Sequence, residues 1–510
     1  MTPALMLDPV YLTGLLLFGL ALMIPVLSAV FLISAIDDLV IDLTFWLRWI
    51  YRASVKRRRI RTIDAAMLRA KPEQWIAVMV PAWDESAVIE AMLHNLLARA
   101  DYEHFRIFVG MYPNDAATRA AVARVAAADP RVVEVLNRRP GPTCKADCLN
   151  AIHAAIGRYE SVYGCRFEIY SMQDCEDVVH PLAWRLFNWL IPRKDMVQLP
   201  VLSLPRRWWQ WTAAHYQDEF AQLHFKDLVA REALAGNVPA AGVGVAFSRR
   251  ALAAVAAENA GEPFNAASLT EDYDVALRLR RNRMKLVFAV FRVRPEPGAA
   301  ASRGALVPYP KHQGELVCVR EYFPDHLRAA VRQKARWVIG IALQGWRAWG
   351  WRSDPWGFLM FWRDRKVLLT NPAAALGYLV VLAVLAQWTW QWIDPLAPAF
   401  PPLVEAGSLT QSLLIANLVV LVLRVLQRAV CVSLLHGLRE GLLSPARMVW
   451  ASLINCLATI RALRLWLRHR LTGAPIGWDK TAHQYPTQAE LGLPSGVPEV
   501  DSRVLPARST

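Results

Sequence analysis

Three long apolar stretches constrain the fold of this chain more than any other feature. The first covers residues 10–36 without a charged side chain, the second covers residues 367–390, and the third begins near residue 409. A helix of about 20 apolar residues crosses a hydrocarbon core of roughly 30 Å, so each stretch is long enough to span a membrane. The first is too long for the core of a signal peptide, which favours an N-terminal anchor over residues 1–36.

The distribution of positive charge predicts how these helices are oriented. The formal net charge is +15, and basic residues cluster beside the apolar stretches, as at residues 56–59 and 461–470. Cytoplasmic flanks of membrane helices are enriched in Lys and Arg, so we expect the N-terminus outside and the next region in the cytosol. The charge suits contact with anionic membrane lipids, and no nucleic-acid-binding module is visible, so we expect no nucleic-acid partner.

Residues 37–69, directly after the first apolar stretch, allow two interpretations. Asp37, Asp38 and Asp42 lie on one side of a helical pattern that also carries several aromatic residues. This pattern indicates either a helix in the membrane interface, followed by a basic linker, or an extension of the first span.

The C-terminal part, residues 351–470, is expected to hold the remaining membrane and interface helices. Residues 448–466 are moderately apolar and end in an arginine cluster. We favour an amphipathic interface helix here, which gives three spans in the chain, with a fourth span as the alternative. The tail, residues 471–510, is rich in Pro, Ser and Thr from Thr487 onward, which is typical of disorder.

Residues 70–350 have the pattern of a soluble α/β domain. Short apolar runs alternate with helical patterns, and the clearest runs are Trp75–Pro81, Phe105–Met111, Phe167–Met172 and residues 286–290. Such alternation implies a mostly parallel sheet, in which ligands bind beyond the carboxyl ends of the strands. The seven cysteines include no C-x-x-C pair, so we expect reduced thiols and neither disulfides nor a zinc site.

Polar side chains, most of them acidic, follow three of these predicted strands. Glu85 follows the first strand, Asn114 and Asp115 follow the second, and Asp174 and Glu176 follow the third. A helix cap or an ordinary turn also explains the first two groups. Asp174 and Glu176 point to the same side of an extended chain, where two carboxylates repel unless a cation neutralises them. This pair predicts Mg²⁺ or Mn²⁺, either of which would also bridge a diphosphate.

Two further motifs lie on predicted helices. Glu271 and Asp272 open one helix, where carboxylates favour the helix dipole and also suit a general base that deprotonates an acceptor hydroxyl. Gln333, Arg336 and Trp337 share one face of a helix before the second apolar stretch. An amide, a guanidinium and an indole suit contacts with a diphosphate and a sugar, although a plain juxtamembrane helix has the same pattern.

The order and spacing of these motifs resemble those of processive family-2 glycosyltransferases, which include cellulose and hyaluronan synthases. The matching residues are Asp115, Asp174-x-Glu176, Thr270-Glu271-Asp272, Gln333-x-x-Arg336-Trp337, residues 145–150 and Gly242-Val243-Gly244. A closer resemblance, over most of the chain, is to the bacteriophage adsorption protein B type of bacterial inner-membrane glycosyltransferase. It is carried by residues 35–39, 112–115, 174–177 and 478–483.

This resemblance implies a GT-A fold, inverting transfer and the synthesis and export of an exopolysaccharide. Asp272, with Glu271 beside it, would act as the catalytic base, and Asp174 and Glu176 would hold the metal ion. Trp337, Gly242 and Gly244 would contact the growing polysaccharide acceptor. The residues expected to bind a UDP-sugar donor are Glu85, Asn114, Asp115, Lys145, Asp174, Gln333 and Arg336.

The resemblance also bears on partners and localisation. We expect a multi-pass protein of the bacterial inner membrane with a cytosolic catalytic domain, and an outer-membrane export protein is an expected partner. Some members of the type continue into a module that binds cyclic di-GMP. We expect that module to be absent here, so control by cyclic di-GMP would need a responsive partner.

Other functions remain open from the sequence. A catalytically inactive membrane receptor or scaffold is one, although the acidic set argues against it because an inactive site has no reason to keep repelling carboxylates together. A non-processive transferase with a lipid acceptor is another, and the Gln333-x-x-Arg336-Trp337 motif favours processivity over it. A transporter is disfavoured because the spans are few and carry little charge.

Overall fold

The computed structural model describes residues 9–55, 61–294, 314–352, 354–396, 400–474, 476 and 480–491. The basic cluster at residues 56–59, Trp478, Asp479 and residues 492–510 lie outside these ranges. Gln488–Leu491 forms a short helix, and its buried Leu491 packs against Val178 and Leu204. The prediction that disorder begins at Thr487 is therefore wrong for the start of the tail.

The described ranges contain a seven-stranded sheet and two three-stranded sheets. Short strands dominate, and only those in the middle of the large sheet exceed five residues. The strands are β1 (Arg61–Asp64), β2 (Trp75–Pro81), β3 (Phe105–Met111), β4 (Val132–Leu136), β5 (Phe167–Met172), β6 (Val178–Val179), β7 (Met196–Gln198), β8 (Val201–Ser203), β9 (Val245–Ser248), β10 (Leu286–Phe288), β11 (Phe291–Arg294), β12 (Glu315–Leu316) and β13 (Val319–Glu321).

The large sheet has the strand order β10-β7-β9-β5-β2-β3-β4. β5, β2, β3 and β4 are parallel neighbours, whereas β9 runs antiparallel to both β5 and β7. β2, β3 and β5 have the predicted bounds, and β10 ends at Phe288, two residues early. The predicted mostly parallel α/β sheet is confirmed, and β9 is the exception that the sequence pattern did not reveal.

Both faces of the central strands are buried, which explains their continuous apolar runs. Successive side chains of a strand point to opposite faces, and β2 shows this clearly. Val78 and Val80 pack in the cluster that contains α3, whereas Ala77 and Met79 pack in the cluster that contains α5. Helices on both sides thus fix the sheet and leave its carboxyl edge free for a site.

The helices fall into a set around the sheets and a set of long apolar helices. Two π-helical segments, Leu223–Asp227 and Val338–Gln344, follow the seventh and eleventh helices. The helices are α1 (Pro9–Ser54), α2 (Ala65–Arg69), α3 (Ile89–Arg99), α4 (Ala116–Ala128), α5 (Lys145–Tyr163), α6 (Ala183–Leu190), α7 (Trp211–Gln222), α8 (Leu228–Ala235), α9 (Arg249–Ala257), α10 (Glu271–Arg281), α11 (Leu327–Trp337), α12 (Gly345–Trp349), α13 (Pro355–Arg365), α14 (Val367–Ile393), α15 (Leu409–His436), α16 (Leu438–Thr472) and α17 (Gln488–Leu491).

Four helices of the described ranges, α1, α14, α15 and α16, are long and apolar enough to cross a membrane. α16 includes residues 448–466 and so meets the length and composition that a fourth span needs. Its most apolar window is 33% buried within the protein, compared with 6% for α14. Arg447 of α16 also pairs with Asp218 of α7 at 2.7 Å, a contact that an interface helix against the soluble domain would make. The number of spans stays a prediction.

The structure distinguishes the two interpretations of residues 37–69, and it shows part of the predicted basic linker paired in a sheet. α1 runs unbroken from Pro9 to Ser54, so the extension of the first helix is the interpretation that the structure supports. After the gap at 56–60, β1 pairs in parallel with β11, and residues 61–69 therefore belong to the folded domain. An acidic segment continues the apolar helix because basic side chains from elsewhere in the chain neutralise it.

These basic side chains come from the start of the C-terminal helical region. The Arg363 guanidinium lies 2.9 Å from Asp37 and 2.5 Å from Asp38. The Lys366 ammonium lies 2.8 Å from Asp37. Asp37 is buried, and a buried carboxylate is tolerated when it is paired and hydrogen-bonded. The ion pairs therefore join α1 to the junction of α13 and α14.

Candidate functional site

A cavity of about 420 Å³ lies at the carboxyl edge of the large sheet. The chain after β2 and β5, the N-terminus of α10 and one face of α11 meet there. Most of the predicted site residues line this cavity: Glu85, Lys145, Asp174, Glu176, Gly242, Glu271, Asp272, Gln333, Arg336 and Trp337. Residues from distant parts of the sequence thus share one space, as the site prediction requires.

Lys145 lies among the carboxylates of this cavity. It is the first residue of α5, and its ammonium lies 2.6 Å from Asp174 and donates to the Gly242 carbonyl at 3.3 Å. Burial disfavours its charged form, but Asp174 and Glu271 outweigh that effect and raise the pKa of Lys145. Lys145 is therefore a fixed positive charge in the site.

Glu271 and Asp272 form the first turn of α10 and face the same cavity. Burial raises the pKa of the Asp272 carboxyl, and Lys145 opposes the shift. Burial and the neighbouring Asp272 raise the pKa of Glu271 to about 7. The Tyr273 amide donates to an Asp272 oxygen at 2.8 Å, which holds that carboxylate at the helix N-terminus. Two acids whose pKa values are raised suit proton transfer at this position.

Glu85, Glu176 and His483 place ligand atoms within 4.8 Å of one another. His483 Nδ1 lies 2.8 Å from Glu85 Oε1 and 3.2 Å from Glu176 Oε2. Burial and Asp174 raise the pKa of Glu176 to about 7, although His483 lowers it. Burial disfavours the imidazolium, but Glu176 and Glu85 raise the pKa of His483 to about 9. This cluster can hold a divalent cation, whereas the predicted partner Asp174 is paired with Lys145.

α11 presents two different faces to its surroundings. Gln333, Arg336 and Trp337 line the cavity, as their predicted common face requires. Lys334 points elsewhere and is buried against Glu219 at 2.5 Å. The Trp337 ring lies about 6 Å from the rings of Tyr216 and Phe220 and is part of an aromatic wall.

The two glycines of the predicted acceptor loop differ in their surroundings. Gly242 has φ +77°, and a Cβ there would lie 3.0 Å from Asp272 Oδ2 and 3.3 Å from Lys145 Nζ. Gly244 has φ +59°, does not line the cavity, and has space restricted by Val319. The backbone at Gly242 therefore approaches Asp272 and Lys145 directly, whereas the space at Gly244 is limited by packing against Val319.

Asn114 and Asp115 do not line the cavity. Asp115 caps α4 by accepting from the Thr118 amide at 3.2 Å, and it accepts from the Asp84 amide at 2.6 Å. The Asn114 side chain exchanges hydrogen bonds with Gly141 at 2.7 Å. The cap and turn interpretation explains these contacts, and contact of either residue with a donor stays a prediction.

Sequence reasoning assigned no role to several cavity residues. Lys480 and His483 reach the site from near the C-terminus, and Lys480 lies 3.2 Å from Glu85. The resemblance at residues 478–483 was the one signal for them, and it indicated no role. At the other end of the cavity, Tyr273 donates to Asp364 at 2.8 Å, and Arg231 contacts the same carboxylate at 2.7 and 3.0 Å.

Residues 72–340 match the family described as "Glycosyltransferase like family 2". The chain is 41% identical over 473 residues to bacteriophage adsorption protein B of Escherichia coli strain K12. The alignment with bacteriophage N4 adsorption protein B of E. coli O157:H7 has the same identity and length. Each alignment covers 92% of this chain and 63% of the relative, so the chain spans less than two thirds of these curated relatives.

Two solved structures give weaker likenesses. A mannosyltransferase from Pyrobaculum calidifontis, in complex with GDP-Man and Mn²⁺, has a TM-score of 0.47 and 16% identity, covering 86% of this chain and 99% of its own. Glucosyl-3-phosphoglycerate synthase from Mycobacterium tuberculosis has a TM-score of 0.28 and 18% identity, covering 47% of this chain and 81% of its own.

Proposed function

Because the chain belongs to glycosyltransferase-like family 2 and has the GT-A fold of that family, we propose that it transfers a sugar from a UDP-sugar to a growing polysaccharide with inversion. The observation that carries the proposal is the single cavity in which Lys145, Asp174, Glu176, Asp272 and the α11 motif meet. A nucleotide diphosphate needs cations, an acceptor hydroxyl needs a base, and this cavity offers both.

The donor diphosphate would lie near Lys145 and Arg336, since these are the positive side chains of the predicted donor set that line the cavity. Asp174 holds Lys145 in place through their 2.6 Å ion pair. As the bond from the anomeric carbon to the diphosphate oxygen breaks, negative charge grows on the leaving group. Fixed positive charges stabilise such a group most where water is excluded.

The donor chemistry of Glu85, Glu176 and His483 fits a divalent cation of the Mg²⁺ or Mn²⁺ type. Their ligand atoms lie within 4.8 Å of one another, and two of them are carboxylate oxygens. The imidazole nitrogen favours Mn²⁺ over Mg²⁺, because Mg²⁺ prefers oxygen ligands. When bound, the ion would neutralise charge on the diphosphate. Asp174, predicted from sequence as a ligand beside Glu176, would then act mainly through Lys145.

Asp272 would accept the proton of the acceptor hydroxyl. The hydroxyl oxygen forms a bond to the anomeric carbon from the face opposite the diphosphate, and the proton goes to the Asp272 carboxylate. A raised pKa makes this carboxylate a better proton acceptor than an exposed Asp. Glu271 shares the helix turn, and the charge of Lys145 partly offsets the rise in the pKa of Glu271.

The acceptor would lie on the side of Gly242 and Trp337. An aromatic ring suits the apolar face of a sugar, and the wall formed by Trp337, Phe220 and Tyr216 provides such a surface. The cavity continues to Arg231 and Asp364, next to the helices that lead into α14. This continuity supports our proposal that the product leaves along the membrane helices, towards an export protein in the outer membrane.

The test is a screen of the purified full chain in lipid against a panel of nucleotide sugars, with released nucleotide diphosphate as the signal. Asp272→Asn should reduce release by a factor of about 10² to 10⁴, the usual contribution of a general base. Asp274→Asn is the matched control, because Asp274 lies on the same helix but does not line the cavity. Near wild-type turnover of Asp272→Asn would refute the assignment.

A transferase with a lipid acceptor is a second candidate. Phe220, Leu223, Leu228 and Ile341 give one wall of the cavity an apolar character that a lipid could also use. Product length separates the two functions, since a polysaccharide synthase gives long chains and the alternative gives one sugar per lipid. A receptor or scaffold without activity would bind a labelled UDP-sugar but release no diphosphate.

A further inference from the structure

An open groove of about 920 Å³ lies between α11 and α16, outside the cavity described above. Its floor is apolar and consists of Leu327, Val331, Leu457, Ile460 and Leu465. Its rim is basic, and we refer to the whole as the arginine groove. The rim residues are Arg328, Arg332, Arg461, Arg464 and Arg468.

The charged residues that line the groove are all basic. None of the residues that line it, within the part of the chain that the structure describes, is acidic. Arg328, Arg464 and Arg468 are exposed. The exposed guanidinium groups of Arg328, Arg464 and Arg468 lie around one concave surface and repel each other, and an anionic occupant reduces that repulsion. The occupant must also cover an apolar floor, which a small hydrophilic anion does not do.

The groove lies at the level where a candidate span begins. The Asn371 side chain donates to Thr459 Oγ1 of α16 at 3.0 Å. Asn371 belongs to the first turns of α14, the candidate span Val367–Ile393, and Thr459 precedes the floor residue Ile460 directly. The boundary of a membrane is where an apolar surface and anionic headgroups are presented together.

We propose that the arginine groove binds an anionic phospholipid. Guanidinium groups match phosphate geometry through paired N–H donors, so the rim would hold the headgroup phosphate. The acyl chains would lie against the floor residues of α11 and α16. Phosphatidylglycerol has both parts, whereas inorganic phosphate and soluble dinucleotides lack the apolar part and phosphatidylcholine lacks the net charge.

A lipid bound in the arginine groove should also affect transferase activity, and this step of the inference rests on the proposed function. α11 lies between the groove and the catalytic cavity, since Leu327, Arg328 and Val331 face the groove while Gln333, Arg336 and Trp337 face the cavity. A bound lipid therefore restrains the helix that carries the donor-binding motif. Anionic lipid should raise turnover in addition to binding.

The experiment measures binding of dioleoyl phosphatidylglycerol to the full chain in neutral detergent by native mass spectrometry. Dioleoyl phosphatidylcholine, inorganic phosphate and a soluble dinucleotide serve as the other probes. The test variant is Arg328→Gln/Arg464→Gln/Arg468→Gln. The matched control, Arg347→Gln/Arg439→Gln/Arg470→Gln, removes the same number of charges from exposed helix positions that do not line the groove.

Each arginine near an anionic headgroup accounts for roughly a fivefold change in affinity, so the test variant should bind phosphatidylglycerol about a hundredfold more weakly. The control should bind it like the unmodified chain, and both variants should keep the thermal midpoint. Equal binding by the two variants overturns the proposal. Equal affinity for phosphatidylcholine, or displacement of the lipid by phosphate or by the dinucleotide, also overturns it.

Turnover in nanodiscs with and without phosphatidylglycerol is measured as a separate readout. Loss of stimulation in the test variant alone supports the coupling through α11. Absence of transfer under every lipid condition, with phosphatidylglycerol binding intact, would count against the proposed function and leave the lipid site standing.

Discussion

Substitution of Gly242 by alanine, compared with a control glycine, separates backbone strain from displacement of Asp272 and Lys145, the proposed catalytic groups. At φ +77° an alanine is strained by about 1 kcal/mol, which lowers the free energy of unfolding. Its Cβ would also lie 3.0 Å from Asp272 Oδ2 and 3.3 Å from Lys145 Nζ, closer than these atoms tolerate without moving. Asp272 and Lys145 would have to move by a few tenths of an ångström. Since a misplacement of about 1 Å in an active site reduces turnover by about 10², we expect a loss of roughly 3- to 10-fold.

Gly236→Ala is the matched control for this substitution. Gly236 has φ +56° at the end of α8, and a Cβ there meets no atom within 4 Å. Thermal unfolding should therefore show a similar loss of stability in both variants. The nucleotide diphosphate assay should show a loss of turnover in Gly242→Ala alone. Equal turnover in the two variants would refute the reasoning that the Gly242 backbone positions Asp272 and Lys145.

Three further predictions concern the metal cluster and the far end of the cavity. His483→Ala should weaken activation by Mn²⁺ at least tenfold, because His483 is a proposed metal ligand, while the control His469→Ala should leave it unchanged. The measurement is the concentration of Mn²⁺ at half-maximal activity. Equal concentrations for the two variants would contradict the assignment of His483 as a ligand. Metal affinity should fall as the pH drops below about 9, because the folded protein raises the pKa of His483 to about 9 and a protonated imidazole does not bind a metal. It should fall more steeply below about 7, because the pKa of Glu176 is raised to about 7 and protons then compete for that carboxylate as well. Metal binding near pH 8 should release a proton from His483, and calorimetry in buffers of different ionisation enthalpy would detect it. Tyr273→Phe should lower the free energy of unfolding by about 1 kcal/mol, because it removes the hydrogen bond to Asp364 while the ion pair between Arg231 and Asp364 remains. An unchanged midpoint in thermal unfolding would show that this hydrogen bond contributes nothing to stability.

Local patterns in the sequence were enough to predict the strands that support the site. β2, β3 and β5 are continuous apolar runs that end in polar residues, and that pattern fixes both their bounds and the edge at which ligands bind. The helix face of Gln333, Arg336 and Trp337 follows from spacing alone, and these residues do line the cavity. Local periodicity determines such features, so no tertiary information was needed.

The sequence could not reveal contacts between distant segments. Glu85 and His483 are 398 residues apart along the chain and meet because the segment after α16 returns across the end of β2. The same limitation applies to Asp174, whose position in the motif predicted a metal ligand but whose nearest cation is Lys145. For Asp115 the sequence allowed both a helix cap and a contact with a ligand, because the two roles have the same sequence pattern. The structure shows the helix cap.

The sequence left two interpretations of the segment after residue 36 open for a related reason. Asp37, Asp38 and Asp42 fit either a helix in the membrane interface or an extension of the first span. In the fold Asp37 and Asp38 are neutralised by Arg363 and Lys366, so the helix continues through them. A hydropathy pattern contains the charge of each residue but not the identity of its counter-ion.

These pairs have a consequence for how the protein is made. Asp37 and Arg363 are separated by 326 positions, so the ribosome delivers the acidic end of the first helix long before its cations exist. Until then the nascent chain carries uncompensated acids beside an apolar helix. Fragments that end before Lys366 should therefore be recognised and degraded by proteases that act on unassembled membrane helices. The N-terminal helix should accumulate in cells only when the part of the chain that contains Arg363 and Lys366 is also translated.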